Sequence, residues 1–177
     1  MSRVVRAATA AGALLLVLAG CQRTPRTAPA PMPTRLPVEY AGGACQLLTY
    51  GAVDQALGVH FDVAASDKSG DSFSCVLQTE AEDYPDLALV VSPSTADSKT
   101  FAKVVQPTGA TAVKSLGKVG YRATMKGSNG GQAVEVGWLT GNGRLLVLRV
   151  TMPVGRPLGD MPDRVVALAK VIDRSSL

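Results

Sequence analysis

Residues 134–150 constrain the fold more than any other stretch of this chain. Val134, Val136 and Trp138 alternate with Glu135 and Gly137, and Leu146, Leu148 and Val150 alternate with Val147 and Arg149. Apolar residues at every second position mark half-buried strands. Between the two runs stands Gly141-Asn142-Gly143. A two-residue Asn142-Gly143 turn would set Trp138 opposite Val147 and Val136 opposite Arg149. A three-residue loop instead sets Trp138 opposite Leu146, Val136 opposite Leu148 and Val134 opposite Val150. A slip of one residue moves a whole apolar set to the other face. Only the three-residue loop puts both sets on one face, so that register is expected, with Gly143 left-handed in a bulge. A chain with this hairpin is committed to an antiparallel sheet that buries one side.

The remaining elements fit around it. Thr49 is placed to cap a short helix that ends at Gly58, with Val53 and Leu57 four apart. Val59, Phe61 and Val63 alternate with His60 and Asp62, and Phe73, Cys75 and Leu77 alternate likewise, so two strands are expected there. Residues 87–91 form a short apolar run. Ser94 with Asp97 resembles a capping box before Phe101, Val104 and Val105, and residues 118–123 read as a short strand. Asp160, Pro162 and the i, i+3, i+4, i+7 set Val165, Leu168, Ala169 and Ile172 define a final helix. The order α-β-β-α-β-β-β-α, with hairpin-linked strands between terminal helices, predicts an α+β fold: an antiparallel sheet with helices packed on one face. This domain is assigned to residues 43–177, long enough to bury about two-thirds of its surface.

The chain of 177 residues opens differently. Arg3 and Arg6 precede an apolar run over 7–18, followed by Leu18-Ala19-Gly20-Cys21. A basic start, a short apolar stretch and small residues before a cut are the parts of a secretory signal peptide, here residues 1–20. As a helix, residues 7–20 would span ~21 Å, short of the ~30 Å hydrocarbon core of a bilayer. Leu-Ala-Gly-Cys resembles a bacterial lipobox, which implies cleavage before Cys21 and a diacylglycerol on its sulfur, with further acylation such as palmitate. Two or more acyl chains anchor a protein stably to a membrane. Residues 21–42 hold the lipidated cysteine and five prolines, at 25, 29, 31, 33 and 37, without apolar periodicity. They read as a tether, at most ~65 Å long as polyproline II and ~25 Å as a flexible coil.

Charge follows the same division. The formal net charge of +4 falls to +2 without Arg3 and Arg6, and from residue 43 onward 13 basic residues face 13 acidic ones. The basic excess is a property of the tether, where Arg23 and Arg26 can meet anionic head groups at ~1 kcal/mol each. A neutral domain gives no reason to expect a nucleic-acid partner.

With Cys21 taken by lipid, Cys45 and Cys75 remain. An exported pair in an oxidising compartment is expected to bond, tying the start of the first helix to the second strand. The alternative is a redox pair, which wants a close Cys-x-x-Cys spacing; a separation of 30 favours structure. Ala44-Cys45-Gln46-Leu47-Leu48-Thr49, Ala56-Leu57-Gly58 and Ser74-Cys75-Val76 resemble actinobacterial lipoproteins grouped as domain of unknown function 3558. The segment Leu116-Gly117-Lys118-Val119-Gly120-Tyr121-Arg122-Ala123 resembles their Leu-x-x-Val-Gly-x-x-Ala. Val76 and Tyr121-Arg122 depart from that family's pattern. The resemblance implies an actinobacterial envelope and a disulfide; it supplies no activity and no functional residues.

Catalytic and metal-binding patterns are not assembled. His60 is the single histidine and falls on the solvent side of its expected strand. Ser115-Leu116-Gly117-Lys118 matches Ser-x-x-Lys without the companion motifs of serine enzymes that use it. The glycine-rich stretch 126–131 lacks phosphate-loop spacing. Glu80, Glu82, Asp83 and Asp86 read as a solvated acidic loop rather than a calcium site. Trp138 and Tyr121 are assigned to the core rather than to a pocket. No catalytic residue, metal or cofactor is therefore expected. The expectation is a lipid-anchored module at the extracytoplasmic face of the cell membrane that binds an envelope protein or wall ligand. A carrier of lipid or glycolipid in an apolar cavity, or an envelope hydrolase, are the alternatives.

Overall fold

A computed structural model describes residues 35–175. The expected signal peptide, residues 1–20, and the expected lipidation site, Cys21, lie outside the described residues. Two 3-10 turns, Val38–Ala41 and Gly43–Leu47, lead into α1, Tyr50–Leu57. The strands are β1, Val63–Ser69; β2, Ser72–Gln78; β3, Asp86–Pro93; β4, Thr111–Ala112; β5, Val119–Lys126; β6, Gln132–Leu139; and β7, Arg144–Thr151. A short helix α2, Ser98–Thr100, follows β3, and α3, Met161–Ser175, ends the fold. The seven strands form one antiparallel sheet in the order β1-β2-β3-β7-β6-β5-β4. The fold is α+β.

The β6–β7 hairpin has the expected register: Trp138 faces Leu146, Val136 faces Leu148 and Val134 faces Val150. Thr140 N–H donates to the Arg144 carbonyl at 2.8 Å, closing the three-residue loop, and Gly143 has φ +79°, where a side chain would be strained. All six of those side chains are fully buried, with Cys75, Leu77, Leu87 and Leu89 beside them. They meet Val53 and Leu57 of α1 and Val165, Leu168, Ala169 and Ile172 of α3 in one core. Thr49 Oγ1 accepts the Ala52 amide hydrogen at 3.2 Å, capping α1, and Gly58 ends it in the left-handed region. Arg164 of α3 donates to the Leu57 carbonyl at 2.9 Å, so α3 closes the free end of α1. α2 and the π turn after it, Phe101–Val105, lie at the β5–β6 end of the opposite face. There Phe101 packs with Tyr121, Ala123 and Leu139 in a small second cluster.

Three expectations need correction. The spacer does not extend to residue 42. Val38 is fully buried in the main core, and Arg35 donates to Asp54 at 2.9 Å and to the Phe61 carbonyl, so residues 35–42 are part of the domain. The strand expected over residues 59–63 begins only at Val63. The preceding carbonyls are taken by side chains, Phe61 by Arg35 and Asp62 by the Tyr50 hydroxyl at 3.0 Å, so they do not join a ladder. Asp97, not Ser94, caps α2, accepting the Thr100 amide hydrogen at 2.7 Å, and Val104 points into solvent.

Candidate functional site

Cys45 and Cys75 are bonded, with Cα atoms 4.9 Å apart. Cys45 lies in the second 3-10 turn and Cys75 on β2, so the bond fastens the segment leading into α1 to the sheet. Both are fully buried, which leaves no thiol for exchange.

Two polar clusters stand out. The first surrounds His60, whose side chain is 65% exposed. Its Nδ1 lies 3.1 Å from Asp54 Oδ2 and its Nε2 3.4 Å from Asp62 Oδ1. Arg35 joins from upstream, its guanidinium 3.9 Å from the centre of the Tyr50 ring and hydrogen-bonded to Asp54. Asp54 Oδ1 is buried without a hydrogen-bond partner. Burial raises the Tyr50 hydroxyl above its ordinary pKa, with Asp62 and Asp54 adding and Arg35 opposing. The ring nitrogens of His60 thus face carboxylates and a guanidinium, which arranges an ion-pair clasp rather than a base beside a nucleophile.

The second cluster is on the sheet face opposite α1 and α3. Glu135 of β6 is directly opposite Arg149 of β7 and Ala123 of β5. Its carboxylate accepts from the Tyr121 hydroxyl at 2.7 Å and from Arg149 Nε at 3.0 Å, with a further bond from Arg149 Nη2. Glu135 is almost wholly buried and Arg149 half exposed. The Tyr121 ring lies across Gly137, where a Cβ would come within 2.5 Å of it. Burial, then the bond to Glu135, pushes the Tyr121 hydroxyl far above the usual tyrosine range. A carboxylate buried by strands needs such donors, and two donors on one anion make a closed network.

The other sequence candidates stay apart from these clusters. Ser115 is a non-glycine residue with φ +57° in the loop before β5. The glycine-rich stretch 126–131 is the β5–β6 turn, and its amides are used internally: Gly127 N–H donates to Gly131 O at 2.8 Å and Gly131 N–H to Asn129 Oδ1 at 2.8 Å. The acidic loop folds on Thr79, whose Oγ1 accepts the Glu82 amide hydrogen at 3.1 Å. Among the described residues no group of three His, Cys, Asp or Glu side chains is placed to hold a metal ion. Trp138 is core, and its Nε1 donates to Asp173 of α3 at 3.1 Å. Sequence reasoning did not single out Glu135, Arg149, Asp54 or Arg35. The Glu135–Arg149 pair was implied by the hairpin register itself, since the same three-residue loop that aligns Val136 with Leu148 sets Glu135 opposite Arg149.

Surface depressions are open, and they range from about 310 Å³, bounded by Leu47, Phe73, Val91 and Arg144, to about 740 Å³, bounded by Gly58, Glu82, Met152 and Arg156. Among the described residues no helix is long and apolar enough to cross a membrane. No protein-family model matches the chain, and no curated protein matches it in sequence.

Proposed function

We propose that this chain is an exported, lipid-anchored protein at the extracytoplasmic face of the cell membrane. It serves as a non-catalytic binding or accessory module for an envelope protein or wall ligand. The observation that carries this reading is the Cys45–Cys75 bond. Bonded pairs persist in oxidising compartments, where the leader over residues 1–20 would deliver the chain, and the pairing leaves Cys21 as the one cysteine for lipid. The likeness to the family of unknown function 3558 adds the same lipobox, spacer and cysteine order. The side chains between the sheet and the α1–α3 layer are buried against one another, which favours a binding module over a carrier with an internal cavity. The arrangement of His60 between two carboxylates favours a module over a hydrolase.

The test is Cys21→Ser. The wild-type chain should partition with membranes and carry acyl mass on Cys21, whereas the variant should appear in the soluble fraction. Retention of the variant in the membrane fraction would sink the anchored reading. Cross-linking on intact cells then identifies the partner.

A further inference from the structure

The place where the chain enters the fold is apolar. Leu36 is 72% exposed, Tyr40 75% and Val63 44%. With Pro37, Ala41, Tyr50, Ala64 and one acidic residue, Asp62, they border one open depression of about 330 Å³. These three are among only eight large apolar side chains that remain exposed in the described residues. Scattered exposed apolar residues are ordinary, but a group around one depression marks a contact surface.

We infer that Leu36, Pro37, Tyr40 and Val63 form a membrane-contact patch, seated at the headgroup–acyl boundary of the bilayer that carries the lipid anchor. This rests on the anchored reading of Cys21. The occupant is set by chain length. The described fold reaches back to Arg35, and the thirteen residues 22–34 lie between it and the lipidated cysteine. Thirteen residues span at most ~45 Å whatever their conformation, and a domain of this size has a radius of gyration of ~14 Å. The point of entry is therefore never farther than ~45 Å from the bilayer, about three such radii. A second contact made by an already tethered body is intramolecular, and a short tether raises its effective concentration, so a patch of low intrinsic affinity is occupied.

The chemistry suits the interface. Tyrosine is favoured where an apolar body meets water at its polar tip. The patch is rigid with the domain, because Val38 is buried in the core and Arg35 is held on Tyr50 and Asp54. Asp62 is on the rim of the depression and Glu39 precedes Tyr40 in the chain, so contact depends on apolar insertion rather than attraction to anionic head groups. Seating the patch brings the β1 edge towards the lipid and leaves α2, at the other end of the sheet, away from it.

The experiment uses the acylated full chain in phosphatidylcholine vesicles with brominated acyl chains, which quench nearby indoles. Trp138, the single tryptophan, is fully buried and serves as the internal reference. Tyr40→Trp adds a reporter in the patch, and Val104→Trp adds one at a residue 73% exposed beside α2. Insertion of the patch by ~5–10 Å into the boundary predicts quenching of the Tyr40→Trp reporter at least about twofold stronger than that of Val104→Trp, unchanged by salt. Equal quenching in the two variants on chains whose Cys21 carries acyl mass overturns this inference alone. Absence of acyl mass on Cys21 overturns the anchored reading and this inference together.

Discussion

Tyr121 shows how one hydroxyl can make stability depend on pH. Its proton is held by burial and by the bond to Glu135. In the unfolded chain the same hydroxyl titrates near ~10. Between that pH and the higher folded value the native state binds more protons than the unfolded one, so stability falls as pH rises. The contribution is complete below pH ~10 and is lost above it. Urea midpoints measured from pH 8 upward should decline at alkaline pH for the wild type and decline less for Tyr121→Phe. Tyr50, raised by burial as well, keeps a smaller part of the slope. An identical alkaline slope in the two proteins would show that Tyr121 titrates normally. A second residue-scale expectation concerns Cys45. Its bond to Cys75 closes a loop with a sequence separation of 30, worth roughly 3–4 kcal/mol in the chain-entropy picture. Cys45→Ala should lower the melting temperature by on the order of 10 °C, read by calorimetry; a shift of a degree or two would mean that packing around the 3-10 turn suffices without the bond.

Among the elements, α3 does more than cover the sheet. Near its C-terminal end, Asp173 accepts hydrogen bonds from the Trp138 indole at 3.1 Å and from the Gly117 amide at 3.0 Å. One carboxylate thereby ties the helix to the central hairpin and to the loop before β5. Asp173→Ala leaves the buried indole N–H without that acceptor, at a cost of about 1–3 kcal/mol. Hydrogen exchange of residues 113–118 should accelerate in this variant, and unchanged exchange would remove Asp173 from the role. This clamp was not legible in the sequence, because nothing local distinguishes Asp173 from a solvated residue on a helix end. The hairpin register, α1 with its Thr49 cap and α3 were legible, because each is fixed by periodicity and by residues with narrow backbone preferences. β1 was not. Its residues Val-Ala-Ala-Ser-Asp-Lys-Ser carry no apolar alternation, since an edge strand exposed along all but one residue has no buried face to encode. The Arg35 strap was hidden by its prolines, which describe a spacer equally well until Val38 is seen in the core. The polar clusters escaped because they join residues from different elements, and only the register could have revealed Glu135 with Arg149.

At the scale of the whole molecule, the sheet is open and has two edges. β4 blunts one with only two residues, whereas β1 leaves seven residues paired on one side alone. An unpaired edge is a template for another strand. Two copies meeting there about a twofold axis must centre on a single residue of β1, because opposed residues in an antiparallel pair share the direction of their hydrogen bonds. Centring on Asp67 sets Asp67 against its own copy, centring on Lys68 does the same for lysine, and the full-length register centred on Ser66 sets Asp67 against Ala65 and Lys68 against Ala64, each charge without a partner. Like charges directly opposite are destabilising. Replacing both, Asp67→Val with Lys68→Val, should therefore give concentration-dependent self-association by sedimentation velocity where the wild type stays monomeric; a monomeric double variant would mean that the edge is shielded by something else. The consequence reaches further for a population tethered as proposed. Molecules confined to one surface meet far more often than freely diffusing ones, and a domain that tilts up from the bilayer uncovers its β1 edge among neighbours already close. Two adjacent side chains of opposite sign, neither of them part of any core, then act as spacing between neighbours on a crowded surface.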